Sequence, residues 1–182
     1  MSLRLALLKR HVPEPIRRRM FGRLACLTAA AFGVPAPDLR RLRPDEQIER
    51  FARFTRDEAE RALAAGASCA ACRDRLFDGA QTLGSSIRRS LGIRRPDEAM
   101  RALRVLYAAI GIELEGNSSG GEIVISRCAF SRVYTPSICE LISGLDAGIV
   151  SGLTGGSVLT FTERITEGAA ACRAWVIGSA TK

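Results

Sequence analysis

The spacing of apolar residues changes once along this chain, at Gly111, and that change decides what it can fold into. Before it, apolar side chains recur every three or four residues. They do so at Ile48, Phe51, Ala59, Ala62 and Leu63 behind Pro44-Asp45-Glu46, and again at Leu76, Phe77, Ala80, Leu83 and Ile87. A third set, Ala99, Leu103, Leu106 and Tyr107, follows Pro96-Asp97-Glu98. A proline and acids in a first turn followed by a one-sided apolar stripe predict helices over 44–65, 74–91 and 96–109. Gly66 ends the first, and Cys69 and Cys72 fall on the linker to the second.

After Gly111 the alternation is two-residue. Ile112-Glu113-Leu114-Glu115 and Glu122-Ile123-Val124-Ile125 flank the turn-rich Asn117-Ser118-Ser119-Gly120-Gly121, a hairpin signal. Val158 to Arg164 and Cys172 to Ile177 read as a second antiparallel pair. Between the hairpins, Thr135-Pro136-Ser137 opens a helix with Ile138, Leu141, Ile142, Leu145 and Ile149 on its buried face, and Gly155-Gly156 breaks it. The expected class is α+β: an N-terminal helical half, then a small antiparallel sheet of about four strands with an inserted Gly-rich helix. Residues 1–43 form a basic N-terminal arm and helix and 44–110 a helical region. Residues 111–182 form an α+β ligand- and metal-binding region, in one compact domain with 44–110.

At 182 residues and 47% hydrophobic composition the chain can bury a core without disulfides or a metal. Its net charge of +8 is unevenly placed, with 22 basic against 12 acidic residues before position 106 and 5 against 7 after it. The densest run is Lys9, Arg10, Arg17, Arg18, Arg19 and Arg23. Few aromatics interleave these charges and no groove-reading motif follows, so the arm reads as solvated surface and points away from nucleic acid. A pocket elsewhere is expected to work without it. Arg18-Arg19-Met20-Phe21 with the apolar Leu24 to Val34 resembles a twin-arginine export signal. That run is shorter than the roughly twenty residues a membrane span needs. Six cysteines without a dense framework favour a reducing cytoplasm.

Three of those cysteines carry the strongest chemical signal. Cys128 ends the second strand, Cys139 lies at the front of the inserted helix, and Cys172 opens the last strand. Element ends of this kind can converge at one sheet edge, and thiolates are what zinc or an iron–sulfur cluster binds. Glu163 or a water would complete a four-ligand site, and the competing reading is three buried cysteines acting as small hydrophobes. Cys69-Ala70-Ala71-Cys72 is a lone CxxC outside any βαβ setting. Cys26, inside an apolar run, is expected in the core. His11 is the only histidine and lies in the basic arm, which weakens a Cys–His pair or a serine triad. Gly152-Leu153-Thr154-Gly155-Gly156 lacks the lysine of a phosphate-binding loop and reads as a turn.

Gly144, Gly148 and Gly152 are four apart and share one helix face. Glycine inside a helix costs about 1 kcal/mol against alanine, so three on one face imply a close backbone approach. The sheet is the expected partner.

The stretch Ile138-Cys139-Glu140-Leu141-Ile142-Ser143-Gly144-Leu145-Asp146-Ala147-Gly148, with Thr162-Glu163-Arg164, Gly168 and Cys172-Arg173-Ala174, resembles the core of the 4-vinyl-reductase domain family. It is also similar to the L-2-amino-thiazoline-4-carboxylic acid hydrolase-like family, whose Cys-Pro-Phe-type element reads Cys128-Ala129-Phe130 here. The resemblance covers about the last seventy residues. It implies an α+β domain enclosing a small, largely apolar ligand, often in sensors, sometimes with zinc held by cysteines. By motif position Cys139 and Cys172 would be metal-linked. Thr166 stands where the vinyl-reductase pattern has a cysteine, and Cys128 would substitute for it in space.

The leading expectation is therefore a sensor- or carrier-type domain for a small apolar or cyclic ligand. Its metal site would be Cys128, Cys139, Cys172 and Glu163, and its helical half would supply a homodimer face or a pocket lid. One alternative is a metal-dependent hydrolase of a cyclic amidine or amide-like substrate, with water on an open coordination position. Another is a thiol redox sensor.

Overall fold

Two acids fix the starts of two helices in the N-terminal half. Glu46 accepts a hydrogen bond from the Arg43 amide at 2.8 Å, and Glu98 accepts from the Arg94 and Arg95 amides at 3.0 and 3.2 Å. Each follows a proline at the first helical position, where no amide is missed. The computed structural model describes residues 13–116 and 121–178. Its helices are α1 (Glu14–Phe32), α2 (Pro44–Ala64), α3 (Cys69–Leu91), α4 (Pro96–Ala109) and α5 (Pro136–Thr154). Its strands are β1 (Ile112–Gly116), β2 (Glu122–Cys128), β3 (Val158–Glu163) and β4 (Cys172–Ile177). A single 3₁₀ turn, Ile165–Glu167, links β3 to β4.

The protein is α+β. A helical half precedes one antiparallel sheet of order β1-β2-β4-β3, and α5 is inserted between the two hairpins. One sheet face is covered, with α4 against β1 and α5 against β3. Val158, Trp175 and Ile177 are exposed on the other face. Buried apolar residues from all five helices and all four strands join one cluster.

The glycine face of α5 packs on α3, not on the sheet. A Cβ added at Gly144 would stand 2.5 Å from the Arg73 carbonyl oxygen, and those at Gly148 and Gly152 would strike the carbonyls of Phe77 and Gln81. The approach is mutual, since a Cβ at Gly84 of α3 would lie 2.7 Å from the Ile149 carbonyl. Gln81 fastens the seam by donating to the Ser151 hydroxyl at 3.0 Å. Small residues on both helices let two backbones touch, which a sheet contact does not require.

Three further expectations are corrected. Cys69 and Cys72 lie in the first turn of α3 instead of a linker, because Ser68 caps the helix there and extends it five residues upstream. Cys26 is exposed: the buried stripe of α1 is Phe21, Leu24, Ala25, Thr28 and Ala29, and Cys26 falls off it. The twin-arginine-like stretch forms α1, whose Phe21 is fully buried, so this segment is core as well as basic surface. Of the basic run, Lys9 and Arg10, like His11 and residues 117–120 of the hairpin turn, lie outside the described residues. Among the described residues α5 has the length and hydropathy of a membrane span, but 67% of it is buried within the protein.

Candidate functional site

Two β-bulges decide which side chains reach the interior. Glu113 pairs with Arg127 and Leu114 with Ile125, which leaves Ser126 as an extra residue in β2. Phe161 pairs with Ala174 and Glu163 with Arg173, which leaves Thr162 as an extra residue in β3. One inserted residue reverses the face of every later side chain in that strand. Strict alternation with Ile123 and Ile125 would turn Arg127 inward and Cys128 outward, and the bulge exchanges them. In β3 the same exchange sends Glu163 outward and Arg164 inward. Arg127 accordingly pairs with Glu113 at 2.8 Å on the outer face. Glu163 lies 3.6 Å from Arg173, which also pairs with Glu122 at 2.9 Å.

Cys128 thereby lines an apolar cavity of about 100 Å³, while Arg164 is buried next to the residues that line it. Its walls come from both halves of the chain: Met20 and Leu24 of α1, Phe51 of α2, Ile142, Leu145 and Ile149 of α5, and Ile112 of β1. A pocket was expected to work without the basic arm, and Met20 of that segment and Leu24 just after it stand in the walls of this one. Phe51, Phe130 and Tyr134 form a run of packed rings, with Phe51 edge-on to Phe130 at 6.2 Å and Phe130 stacked on Tyr134 at 5.7 Å.

The polar groups in and beside the cavity fall into two sets. In the first, the Tyr107 hydroxyl donates to Asp146 Oδ1 at 2.5 Å. Burial raises the Asp146 carboxyl to about 6, while the Tyr107 hydrogen bond and the Arg164 charge pull the other way. Burial and the nearby Asp146 charge push the Tyr107 hydroxyl well up, so it stays protonated and acts as a donor. Tyr134 is likewise pushed up by burial and bonds the Thr55 hydroxyl.

The second set surrounds Arg164, which is 9% exposed. Its guanidinium lies 4.3 Å over the Phe161 ring, 3.4 Å from Ser143 Oγ and 3.8 Å from Cys139 Sγ. Cys172 accepts the Ile165 amide at 3.3 Å, and burial raises its thiol. Thr166 also lines the cavity, and its hydroxyl is buried without a hydrogen-bond partner.

The structure brings Cys128, Cys139 and Cys172 to the same cavity and leaves Glu163 outside it. Burial pushes the Cys128 thiol up to about 12, which keeps it protonated near neutral pH. Among the described residues no three His, Cys, Asp or Glu side chains are grouped to hold a metal. The buried Arg164 cation beside Cys139 also opposes a second cation there. The residues as arranged do not fit the zinc or iron–sulfur centre expected on Cys128, Cys139, Cys172 and Glu163.

Asp146, Tyr107, Arg164, Ser143 and Thr166 were not picked out as site residues by sequence reasoning. For Asp146 a signal existed, since an acid four residues after Ile142 and three before Ile149 falls inside an apolar stripe. For Arg164 none did, because the bulge at Thr162 is invisible to alternation. No protein-family model, curated protein or solved structure matches the chain.

Proposed function

We propose that this protein binds a small, largely apolar molecule in the cavity between α1, α5 and the sheet, as a sensor- or carrier-type domain. The observation that carries this reading is a partly open pocket walled by apolar side chains, with a few polar groups among its lining. That is the usual composition of a small-molecule site, where apolar area gives affinity and a few polar atoms give orientation. A well-packed core of this size would close over such a space, since voids forfeit dispersion contacts. The resemblance read from the sequence of residues 138–174 to 4-vinyl-reductase domains would imply the same ligand class.

The test is ligand-dependent stability. A ligand that binds only the folded state raises stability by about 2.7 kcal/mol at one hundred times its dissociation constant. Thermal melts with a panel of small cyclic and branched hydrocarbons and alcohols should show saturable stabilisation of the wild-type chain. Ile142→Phe, which fills the cavity from α5, should remove it. Absence of stabilisation by every compound, or equal stabilisation of the filled variant, would refute the reading.

A further inference from the structure

We propose that the ligand is a cation, a short branched alkylammonium, and that the Asp146 carboxylate is the group that holds it. This rests on the reading that the cavity takes a small molecule, and it names the chemical class of that molecule.

Asp146 is bonded through one oxygen only. Its Oδ1 accepts from the Tyr107 hydroxyl at 2.5 Å, and its Oδ2 has no hydrogen-bond partner among the described residues. The second oxygen is not sealed in protein either. The enclosed side-chain atoms without a partner are Arg17 Nε, Thr28 Oγ1, Gln47 Oε1 and Thr166 Oγ1, and Oδ2 is not one of them. Asp146 keeps some accessible surface and is a lining residue of the cavity, so the open side of its carboxylate is the cavity side.

Nothing in contact with this carboxylate balances its charge. A carboxylate withdrawn from water needs a cation or a full set of donors, and a single phenol is neither. Among the described residues no arginine lies within ion-pair distance of Asp146. Arg164 is paired with Glu167 at 3.9 Å and directs its terminal nitrogens to Ser143 and Cys139. Its charge favours the ionised form of Asp146 from further off, yet burial outweighs it and leaves the carboxyl near 6. The other titratable groups facing Asp146, Tyr107, Tyr134 and Cys128, are kept neutral by burial. At neutral pH the cavity therefore presents one negative charge.

The rest of the lining suits the same occupant. Ammonium groups are drawn to aromatic rings as well as to carboxylates. Both tyrosines of the chain and two of its seven phenylalanines, Phe51 and Phe130, line this one cavity. Ile142, Leu145 and Ile149 offer an apolar wall to the alkyl part. A neutral alcohol would satisfy Oδ2 and leave the charge uncancelled, whereas an ammonium does both. A void of about 150 Å³ accommodates benzene, so the cavity of about 100 Å³ suits an amine of about four carbons.

The experiment compares 2-methylpropylamine, 2-methylpropan-1-ol and 2-methylpropanoate, which share a branched skeleton and are cationic, neutral and anionic near neutral pH, by calorimetry and by NMR shift perturbation. The wild-type chain should bind the amine at least about tenfold more tightly than the alcohol, which is about 1.4 kcal/mol, and the acid most weakly. Asp146→Asn, which keeps the shape and the acceptor for Tyr107, should reduce the amine to the affinity of the alcohol and leave the alcohol nearly unchanged. This variant loses a buried charge and should fold at least as well as wild type, and the charge series in the wild-type chain is a test without it. Glu167→Gln, which removes a half-exposed carboxylate near the cavity, should leave the preference for the amine intact. Equal binding of amine and alcohol by the wild type, tightest binding of the acid, or an amine preference that survives in Asp146→Asn would overturn the ammonium site while leaving the apolar cavity standing. Failure of all three compounds to bind at millimolar concentration would remove the cavity reading and this inference with it.

Discussion

Asp146 is an acid placed where α5 needs an apolar side chain, and its behaviour with pH follows from that. Its carboxyl is raised from the ordinary 3.8 to about 6 by burial, so between these values the folded chain holds a proton that the unfolded chain has released. Stability from this group is therefore full below about pH 4, falls as pH rises through 6, and stays reduced above it. Asp146→Asn removes the titration and still accepts from Tyr107. The variant should gain about 1–3 kcal/mol over wild type near pH 7.5, and the gain should vanish near pH 4. Paired urea titrations at the two pH values check this, and an equal difference at both would show that the carboxyl does not titrate as described. The neighbouring residue-scale feature, Arg164, was out of reach of sequence reasoning. Alternation assigns Glu163 to the inner face, and only the extra Thr162 in the β3–β4 ladder reveals that the acid and the base have exchanged places.

At the scale of elements, periodicity located every described helix that a stripe could mark and both hairpins. It lost the partner of the glycine face. Three glycines four apart state that something comes close, and they do not state what. The complementary signal was in α3, where Ala80 and Gly84 are also four apart and face α5. Gly148→Ala should destabilise by about 1–3 kcal/mol, because the new methyl meets a backbone carbonyl that cannot swing aside. Gly22→Ala in α1 is the control: its Cβ would have nothing within 4 Å, so helix propensity alone should stabilise by up to about 1 kcal/mol. Chemical denaturation of both variants gives the comparison. Matching effects in the two would mean that the α3–α5 seam is looser than its geometry. The cysteine elements were also placed correctly, at a strand end, a helix front and a strand start. The step from shared location to shared metal did not follow, since three thiols around one void are not thereby within ligating distance of one ion.

For the whole molecule, the consequence is that the two halves are not separable. Phe21 and Leu24 of α1 are buried in the same cluster as Ile123 of β2 and Ala174 of β4. A chain beginning at Pro35 should lose cooperative thermal unfolding, and a sharp melt at the wild-type temperature would show that α1 is dispensable. Removal of metal by a chelator should leave the melting temperature unchanged, and elemental analysis should find no stoichiometric zinc. A metal-dependent melt would restore the thiolate centre that the geometry disfavours. The placement of the chromophores separates two optical signals. Trp175, the sole indole, is 44% exposed on the outer sheet face, while Tyr107 and Tyr134, the only phenols, line the cavity. Indole emission should be red-shifted and open to iodide quenching, and it should not respond when a ligand enters. The near-ultraviolet dichroism of the two phenols should respond, so occupancy of the interior can be followed by a signal to which the surface contributes little.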